Sequence, residues 1–173
     1  MRFLPFLSLL VAGPVLASIS VRMDLPALTA AATDVVDSRV VSSSSEWTGD
    51  HRRIVTQVVV EVREAWKGTA TGRLTVVQPG GERDGIGQRV SGVAPLAVGE
   101  RAVLFLERTG LQHRVVGLAQ GVYRVLPSAD VREERAVPAS LDGLELVSPP
   151  GREPALRAPL SISDLRSSVK AGR

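Results

Sequence analysis

The amino-acid sequence predicts a mostly β domain. Its central part contains valine-rich segments in which apolar and polar side chains alternate, and a period of two is typical of half-buried strands. Glycine and proline residues separate these segments, as expected of turns. Helical patterns occur only near the two ends of the chain. The 173 residues, of which 44% are hydrophobic, are enough for one domain with its own core.

The clearest strand covers residues 54–66. Val58 and Val60 fall on one of its faces, and its β-branched residues favour a pleated strand over a helix. Trp66, near its end, is predicted to lie in the core because large aromatic side chains are usually well buried. The run at residues 101–107 is apolar on both faces and predicts a central, covered strand. Further strands are predicted at residues 35–42, 73–78, 86–93, 113–118 and 120–126.

Two short helices are predicted at the periphery. Asp24 can cap the first helix, and Ser161 with Asp164 has the spacing of a capping box for a helix at the end of the chain. Short strands with edge helices favour a small, partly open OB-like barrel of five to seven strands, with a β-sandwich as the alternative. The predicted organisation is a signal peptide (1–17), an N-terminal segment with a short helix (18–33), the barrel domain (34–126), a loop and proline-rich connector (127–160) and the C-terminal helix (161–173).

Residues 1–17 have the pattern of a secretory signal. Arg2 is followed by a short apolar run over residues 3–12 and by small or aliphatic residues up to Ala17. The run is shorter than the roughly 20 apolar residues needed to span a bilayer. We therefore expect cleavage and an exported protein, periplasmic or secreted, with no membrane insertion afterwards. A retained membrane anchor is the alternative.

Composition excludes several kinds of site. The chain has no cysteine, so disulfides, thiolate metal ligands and nucleophilic thiols are absent. The net charge is +3, with acidic and basic residues interspersed, and aromatic residues make up 3%. Nucleic-acid binders usually concentrate basic charge on one face and add stacking aromatics. We therefore predict no nucleic-acid partner and no cofactor.

Neither catalysis nor metal binding is predicted. The only histidines, His51 and His113, lie in separate segments, and no spacing of ligands requires them to meet. The chain also lacks the Gly-x-Ser-x-Gly motif that presents a nucleophilic serine. A hydrolase using a serine and a histidine remains an alternative, and a structural envelope protein is another.

The best candidate for binding is a polar stretch predicted as a loop over residues 43–53. It holds a tryptophan among hydrophilic residues, and tryptophan beside arginine is a frequent composition of binding hot spots. The alternative is that the tryptophan folds back over the end of the barrel. The candidate residues are Trp47, Asp50, His51, Arg52 and Arg53.

A glycine-rich segment over residues 79–87 is the second candidate. Glycines let backbone amides approach an anion, and two carboxylates could instead bind a hard cation. A glycine-rich turn without a ligand is the alternative. The candidate residues are Gly80, Gly81, Glu82 and Asp84.

Several short motifs resemble netrin-like modules of the type found in tissue inhibitors of metalloproteinases. These are the segments at residues 32–36, 66–68 and 99–106. The segment at residues 116–121 is similar to uncharacterised exported bacterial proteins of the same layout. The resemblance implies an exported OB barrel that binds a partner. The inhibitors of that family bind the target's zinc through an amino-terminal cysteine, which this chain lacks.

Taken together, these patterns predict an exported, non-enzymatic binding or accessory module. Its partner would be another exported protein or an envelope polymer, and the module itself is expected to be a monomer. Contacts are expected through the two candidate loops, because loops on a rigid scaffold often carry binding.

Overall fold

The computed structural model describes residues 18–127, 134–148, 150–151, 155 and 157–172, and the predicted signal peptide lies outside the described residues. In chain order the elements are β1 (Ser18–Val21), α1 (Leu25–Ala31), β2 (Asp34–Trp47), β3 (Ile54–Lys67), β4 (Arg73–Pro79), β5 (Gly81–Arg83), β6 (Ile86–Gln88), β7 (Arg101–Thr109), β8 (Gln112–Val115), a 3₁₀ turn (Leu118–Gly121), β9 (Val122–Pro127), β10 (Glu134–Pro138), β11 (Leu144–Val147), β12 (Leu160–Ser161) and α2 (Ile162–Ala171).

Five strands form a ring in the order β7, β2, β3, β4 and β8, and β8 pairs back with β7 to complete it. Neighbours in the ring are antiparallel except β4 and β8, which are parallel. Within the described residues, β4 and β8 pair at one position, between Val76 and His113. The ring is therefore narrowly closed at that point, which confirms the predicted mostly β fold with a small, partly open barrel. From β7 the sheet continues through β9, β10 and β12.

Two apolar clusters stabilise this arrangement. One is formed by residues of the ring strands, with Val36, Val58, Val76, Leu104 and Leu106 among its buried members. The other joins the sheet to both helices and includes Leu28, Trp66, Phe105, Tyr123 and Leu165. Trp66 is 1% exposed, so its predicted burial is confirmed.

Both helices begin at the residues that the sequence indicated. Asp24 accepts a hydrogen bond from the N–H of Ala27 at 2.9 Å, and Ser161 accepts one from the N–H of Asp164 at 3.0 Å. Such caps satisfy N–H groups that have no partner within the first helical turn. The prediction of two short peripheral helices is confirmed.

β2 is longer than predicted. The sequence predicted a strand over residues 35–42 and a loop over residues 43–53, but the strand extends to Trp47. Its second half pairs in register with β3, from Ser43 opposite Val58 to Trp47 opposite Ile54. Serines have little strand preference of their own, so this pairing depends on the β-branched residues across the ladder. The loop is therefore confined to residues 48–53.

Two further expectations about strands were wrong. The strand predicted over residues 86–93 is confined to β6, which pairs only with β5 in the described part of the chain. The segment predicted as loop and connector contains β10 and β11, which pair with β9 and β1. Neither β10 nor β11 has a long alternating pattern of its own, and each is held as a strand by its pairing with another strand.

Candidate binding site

The β2–β3 hairpin extends past the region where β2 contacts β7. In the described residues, the β2–β7 ladder runs from Asp34 to Arg39, and the rest of β2 pairs with β3 alone. The tip of the hairpin is formed by residues 48–53, called the β2–β3 loop below. Four of the predicted site residues lie in this loop, and Trp47 immediately precedes it.

The β2–β3 loop is closed by its own hydrogen bonds. The N–H of Thr48 donates to the carbonyl of Arg53 at 2.8 Å, and the hydroxyl of Thr48 donates to Oδ1 of Asp50 at 2.5 Å. The N–H of Arg52 donates to the same oxygen at 3.2 Å. The pKa of the Asp50 carboxyl lies below its usual range because these hydrogen bonds favour the charged form. The bond from the Thr48 hydroxyl has the larger effect and the bond from the Arg52 N–H the next largest. The loop thus presents a fixed carboxylate at neutral pH.

Trp47 connects this loop to the second candidate segment. Its Nε1–H donates to Oδ2 of Asp84 at 2.9 Å. On the other side, the ring of His51 stacks on Trp47 with centroids 6.2 Å apart and planes inclined by 27°. The two segments predicted separately from the sequence therefore form one continuous surface.

Asp84 reaches Trp47 from a tight turn. Asp84 and Gly85 have φ angles of 54° and 74° and connect β5 to β6. A two-residue Asp-Gly turn with both φ angles positive matches the right-handed twist of a β-hairpin. The glycine-rich segment is thus a small β5–β6 hairpin that presents Asp84 at its tip.

Gly81 lets this hairpin approach the β2–β3 arm. A Cβ atom at Gly81 would lie 2.4 Å from Oγ of Ser45 and 2.4 Å from Oγ1 of Thr56, and its φ is 138°. Those two hydroxyls are hydrogen-bonded to each other at 3.0 Å. A side chain at this position would therefore push β5 away from β2 and β3.

Replacing Gly81 by alanine is expected to loosen the β5–β6 hairpin. The added methyl group overpacks the contact with Ser45 and Thr56, which we expect to cost about 1–3 kcal/mol. Because the displaced hairpin would withdraw Asp84 from Trp47, the fluorescence of Trp47 should also change. Thermal unfolding and tryptophan emission measure the two effects.

Gly87→Ala is the matched control in the same hairpin. A Cβ atom at Gly87 would meet nothing within 4 Å, and its φ is not positive. This variant should keep the emission spectrum and unfolding temperature of the parent. Equal effects of the two substitutions would contradict the packing role of Gly81.

The predicted site residues are distributed over adjoining depressions of one end of the molecule. A depression of about 460 Å³ is lined by Trp47, His51 and Asp84. A neighbouring one of about 590 Å³ is lined by Gly80, Gly81 and Glu82. Arg53 and Gly80 line a third, described next. Asp50 and Arg52 belong to the same loop but line none of these three depressions.

The third depression is a cleft of about 450 Å³ that the sequence did not indicate. It lies where the ring opens, between the end of β4 and β8. Gln78 donates to the carbonyl of Ala94 at 2.9 Å, and Gln88 accepts from the N–H of Ile54 at 2.7 Å, so the segment after β6 is held against the cleft. Its partly exposed apolar lining residues are Val55, Val77, Val90, Val93, Val115 and Leu118. They come from five separate segments, which is why no local pattern could reveal the cleft.

Charge at this end of the barrel is mixed. The guanidinium of Arg83 lies 3.4 Å from the carboxylate of Asp84. Arg52 and Arg53 are exposed, and neither has an ion-pair partner among the described residues. Glu82 is likewise exposed and unpaired within that part of the chain. The surface therefore offers both signs of charge around the Trp47–His51 stack.

The two histidines lie in different environments. His51 is exposed beside Trp47, whereas His113 is 6% exposed in β8, with Nε2 3.6 Å from Oδ2 of Asp34. Asp34 is also paired with Arg108 at 3.1 Å. No group of three or more possible metal ligands occurs among the residues that the structure describes.

No protein-family model, curated protein or solved structure matches the chain. Among the described residues, no helix has the length and apolar character needed to cross a membrane.

Proposed function

We propose that this chain is an exported, non-enzymatic binding module. It contacts another exported protein or an envelope polymer through the end of the barrel formed by the β2–β3 loop and the β5–β6 hairpin. The observation that carries the proposal is the hydrogen bond between Trp47 and Asp84, which joins two segments 37 residues apart into one surface.

The composition of this surface supports binding. A half-buried tryptophan beside unpaired arginines is the kind of residue set that dominates the binding energy of interfaces. The internal hydrogen bonds of the β2–β3 loop reduce the entropy that ordering it on a partner would cost. A preorganised loop on a β scaffold is therefore well suited to recognition.

The position of the surface in the barrel points the same way. In OB-like barrels, the ligand is bound on the face formed by the second and third strands. Loops at the end of the barrel also contribute, including the loop between the first and second strands. Here β2, β3 and β4 are consecutive neighbours in the ring, and the candidate loop joins the first two of them. The resemblance to netrin-like modules and the signal-like residues 1–17 are part of the same proposal.

A pull-down from envelope and secreted fractions tests the proposal. The chain from Ser18 onward would be immobilised, and retained components would be identified by mass spectrometry and glycan analysis. The double variant Trp47→Ala/Arg52→Ala should retain at least about tenfold less of the specific partner, since hot-spot truncations commonly cost 2 kcal/mol or more.

Arg73→Ala is the control for the loss of an arginine. Arg73 is exposed at the start of β4, whereas the candidate surface adjoins the end of that strand. Its substitution should leave capture unchanged. If the double variant captured as much partner as the parent protein, the surface would be assigned wrongly.

A further inference from the structure

We propose that the free edge of β2, from Ser43 to Trp47, binds an extended segment of the partner as an added β-strand. This inference rests on the proposed binding function and selects a protein, rather than a polysaccharide, as the partner. The contact is made by backbone groups of the β2–β3 hairpin, which the side-chain bond between Trp47 and Asp84 does not use.

The free edge begins where β2 leaves β7. The N–H of Val40 donates to the carbonyl of Glu100 at 2.9 Å, and the carbonyl of Val40 accepts from the N–H of Gly99 at 2.9 Å. The register of β2 with β3 then shifts between Val40 and Ser42, as at a β-bulge. Among the described residues, no strand pairs with this side of β2 beyond the shift.

The register of the hairpin decides which backbone groups face the free edge. The N–H of Thr48 donates to the carbonyl of Arg53 at 2.8 Å, so Thr48 faces β3. Residues of an antiparallel strand face the partner strand and face away in alternation, so Trp47 faces away from β3. The residue opposite Trp47 agrees with this phase, because the carbonyl of Ile54 accepts from the N–H of Gly80, on the side of β4, at 2.8 Å.

Three residues therefore present unpaired backbone groups. In steps of two from Trp47, Ser45 and Ser43 also direct their N–H and C=O groups away from β3. Within the part of the chain that the structure describes, no hydrogen bond reaches these groups. β5 approaches Ser45 closely, but among the same residues it pairs with β6 alone. The edge thus offers three donors and three acceptors over five residues.

The repeat of these groups favours a polypeptide as the occupant. One N–H and one C=O recur at every second residue of a strand, about 6.8 Å apart, and an extended polypeptide carries the same groups at the same interval. Addition of a strand to an open sheet edge is a recurring mode of peptide recognition, in which backbone hydrogen bonds supply the affinity. A polysaccharide has no backbone amides with this repeat.

The side chains of this segment leave the edge accessible. Residues Ser42–Ser45 include no charged residue and no proline, the usual devices that protect a strand edge from pairing. Their small hydroxyl side chains leave room for a neighbouring strand, and Ser43 is exposed. Glu46 follows them, and its carboxylate accepts a hydrogen bond from the amide of Gln57 on β3, away from the edge.

The edge is continuous with the binding surface proposed above. The depression of about 460 Å³ beside Trp47 is lined by Ser44 and Ser45 as well as by His51 and Asp84. A residue of the added strand opposite Trp47 would have its side chain on the same face as the indole, because directly opposite residues of a sheet share a face. One segment of the partner can therefore bond to the edge and contact Trp47.

Selection from a displayed library of random linear peptides tests this inference. The immobilised chain from Ser18 onward should enrich peptides rich in β-branched and aromatic residues, which favour strands. A synthetic peptide from the enriched set is then N-methylated at one amide at a time. Methylation at every second position should lower the affinity at least about tenfold, and at the intervening positions it should have a much smaller effect, because only alternate amides of an added strand face β2.

A proline at position 43 tests the edge from the side of the protein. Ser43→Pro removes an N–H that faces away from β3, so the β2–β3 ladder keeps its bonds while the edge loses a donor. The affinity for the peptide should fall at least about tenfold. Ser43→Ala is the matched control, since it removes the hydroxyl but keeps the N–H, and it should leave the affinity unchanged. Circular dichroism would establish that both variants are folded.

Four outcomes would overturn the inference. Three are the absence of any enriched peptide, methylation effects without alternation, and equal peptide affinity of the folded Ser43→Pro and Ser43→Ala variants. The fourth is a dimer of the chain in analytical ultracentrifugation that Ser43→Pro dissociates, because a second copy would then be the occupant of the edge. The methylation series is made on the peptide, so it remains decisive if Ser43→Pro does not fold.

The proposed function fails separately from this inference. A captured partner that needs Trp47 and Arg52 but tolerates Ser43→Pro removes only the added strand. Peptide binding that needs the N–H of Ser43, together with partner capture that ignores Trp47 and Arg52, removes only the loop surface.

Discussion

Replacing Trp66 by alanine is expected to lower the free energy of unfolding by about 3–5 kcal/mol, the usual range for truncating a buried aromatic side chain. Trp66 is 1% exposed and belongs to the cluster between the sheet and the two helices. Its Nε1–H also donates to Oε2 of Glu64 at 3.1 Å. The alanine variant would lose this packing and leave a cavity beside α2, and urea unfolding would measure the loss.

The other tryptophan provides the comparison. Trp47 is partly exposed and belongs to neither apolar cluster, so Trp47→Ala should cost about 1 kcal/mol, the scale of a single hydrogen bond. Its main effect should instead be on partner binding. If Trp47→Ala and Trp66→Ala destabilised the protein equally, the division into a core tryptophan and a binding tryptophan would be wrong.

Replacing Asp37 by alanine is expected to lower the free energy of unfolding by about 3 kcal/mol, the lower end of the cost of breaking a buried ion pair. Asp37 is 5% exposed and accepts two hydrogen bonds from Arg101, at 2.9 Å and 2.7 Å. The pKa of Arg101 is raised, chiefly by its hydrogen bond to Asp37, so the guanidinium stays charged. In the Asp37→Ala variant it would have lost one of its two carboxylate partners. In this variant Arg101 would keep its ion pair with Glu134, which is 2.5 Å away, and this limits the loss of stability.

Two variants separate this pair from ordinary surface charges. Glu134 is half exposed, so Glu134→Ala should cost about 1 kcal/mol or less. The double variant Asp37→Leu/Arg101→Leu should recover part of the stability, because neither buried charge of the pair remains and only the half-exposed Arg63 and Glu134 lose a partner. Chemical unfolding of the three variants measures their free energies of unfolding. The account would be contradicted if Asp37→Ala destabilised the protein no more than Glu134→Ala.

Most of the barrel could be predicted from local pattern. The alternation in β3, the apolar run in β7 and the two helix caps each have a short-range physical cause that the sequence displays. The burial of Trp66 follows from its place at the end of β3. These features persist in the structure because local preference and tertiary packing agree there.

The missed elements depend on contacts with other segments of the chain. The serines of β2 form strand because β3 lies opposite them, and β10 is held by β9 and by the bond from Arg101 to Glu134. Neither cause is visible in the segment itself, since strand preference reflects cross-strand neighbours as much as the residue.

The candidate site could be predicted as two loops but not as one surface. Trp47 and Asp84 were singled out as candidate residues, but Trp47 was expected in a loop and instead ends β2, and the β5–β6 hairpin that presents Asp84 was not predicted. Their junction depends on the close approach of Gly81 to Ser45 and Thr56, which only the fold reveals. The cleft beside β4 was invisible for the same reason.

Hydrogen exchange of the chain from Ser18 onward, alone and with its captured partner, tests the central claim most directly. We predict that the partner slows exchange of the amides in residues 48–53 and in the β5–β6 hairpin, while α1 and α2 are unchanged. Protection confined to another surface would contradict the claim. The β1–β11 pair, with exposed Ile19, Val21 and Val147, is the clearest such surface.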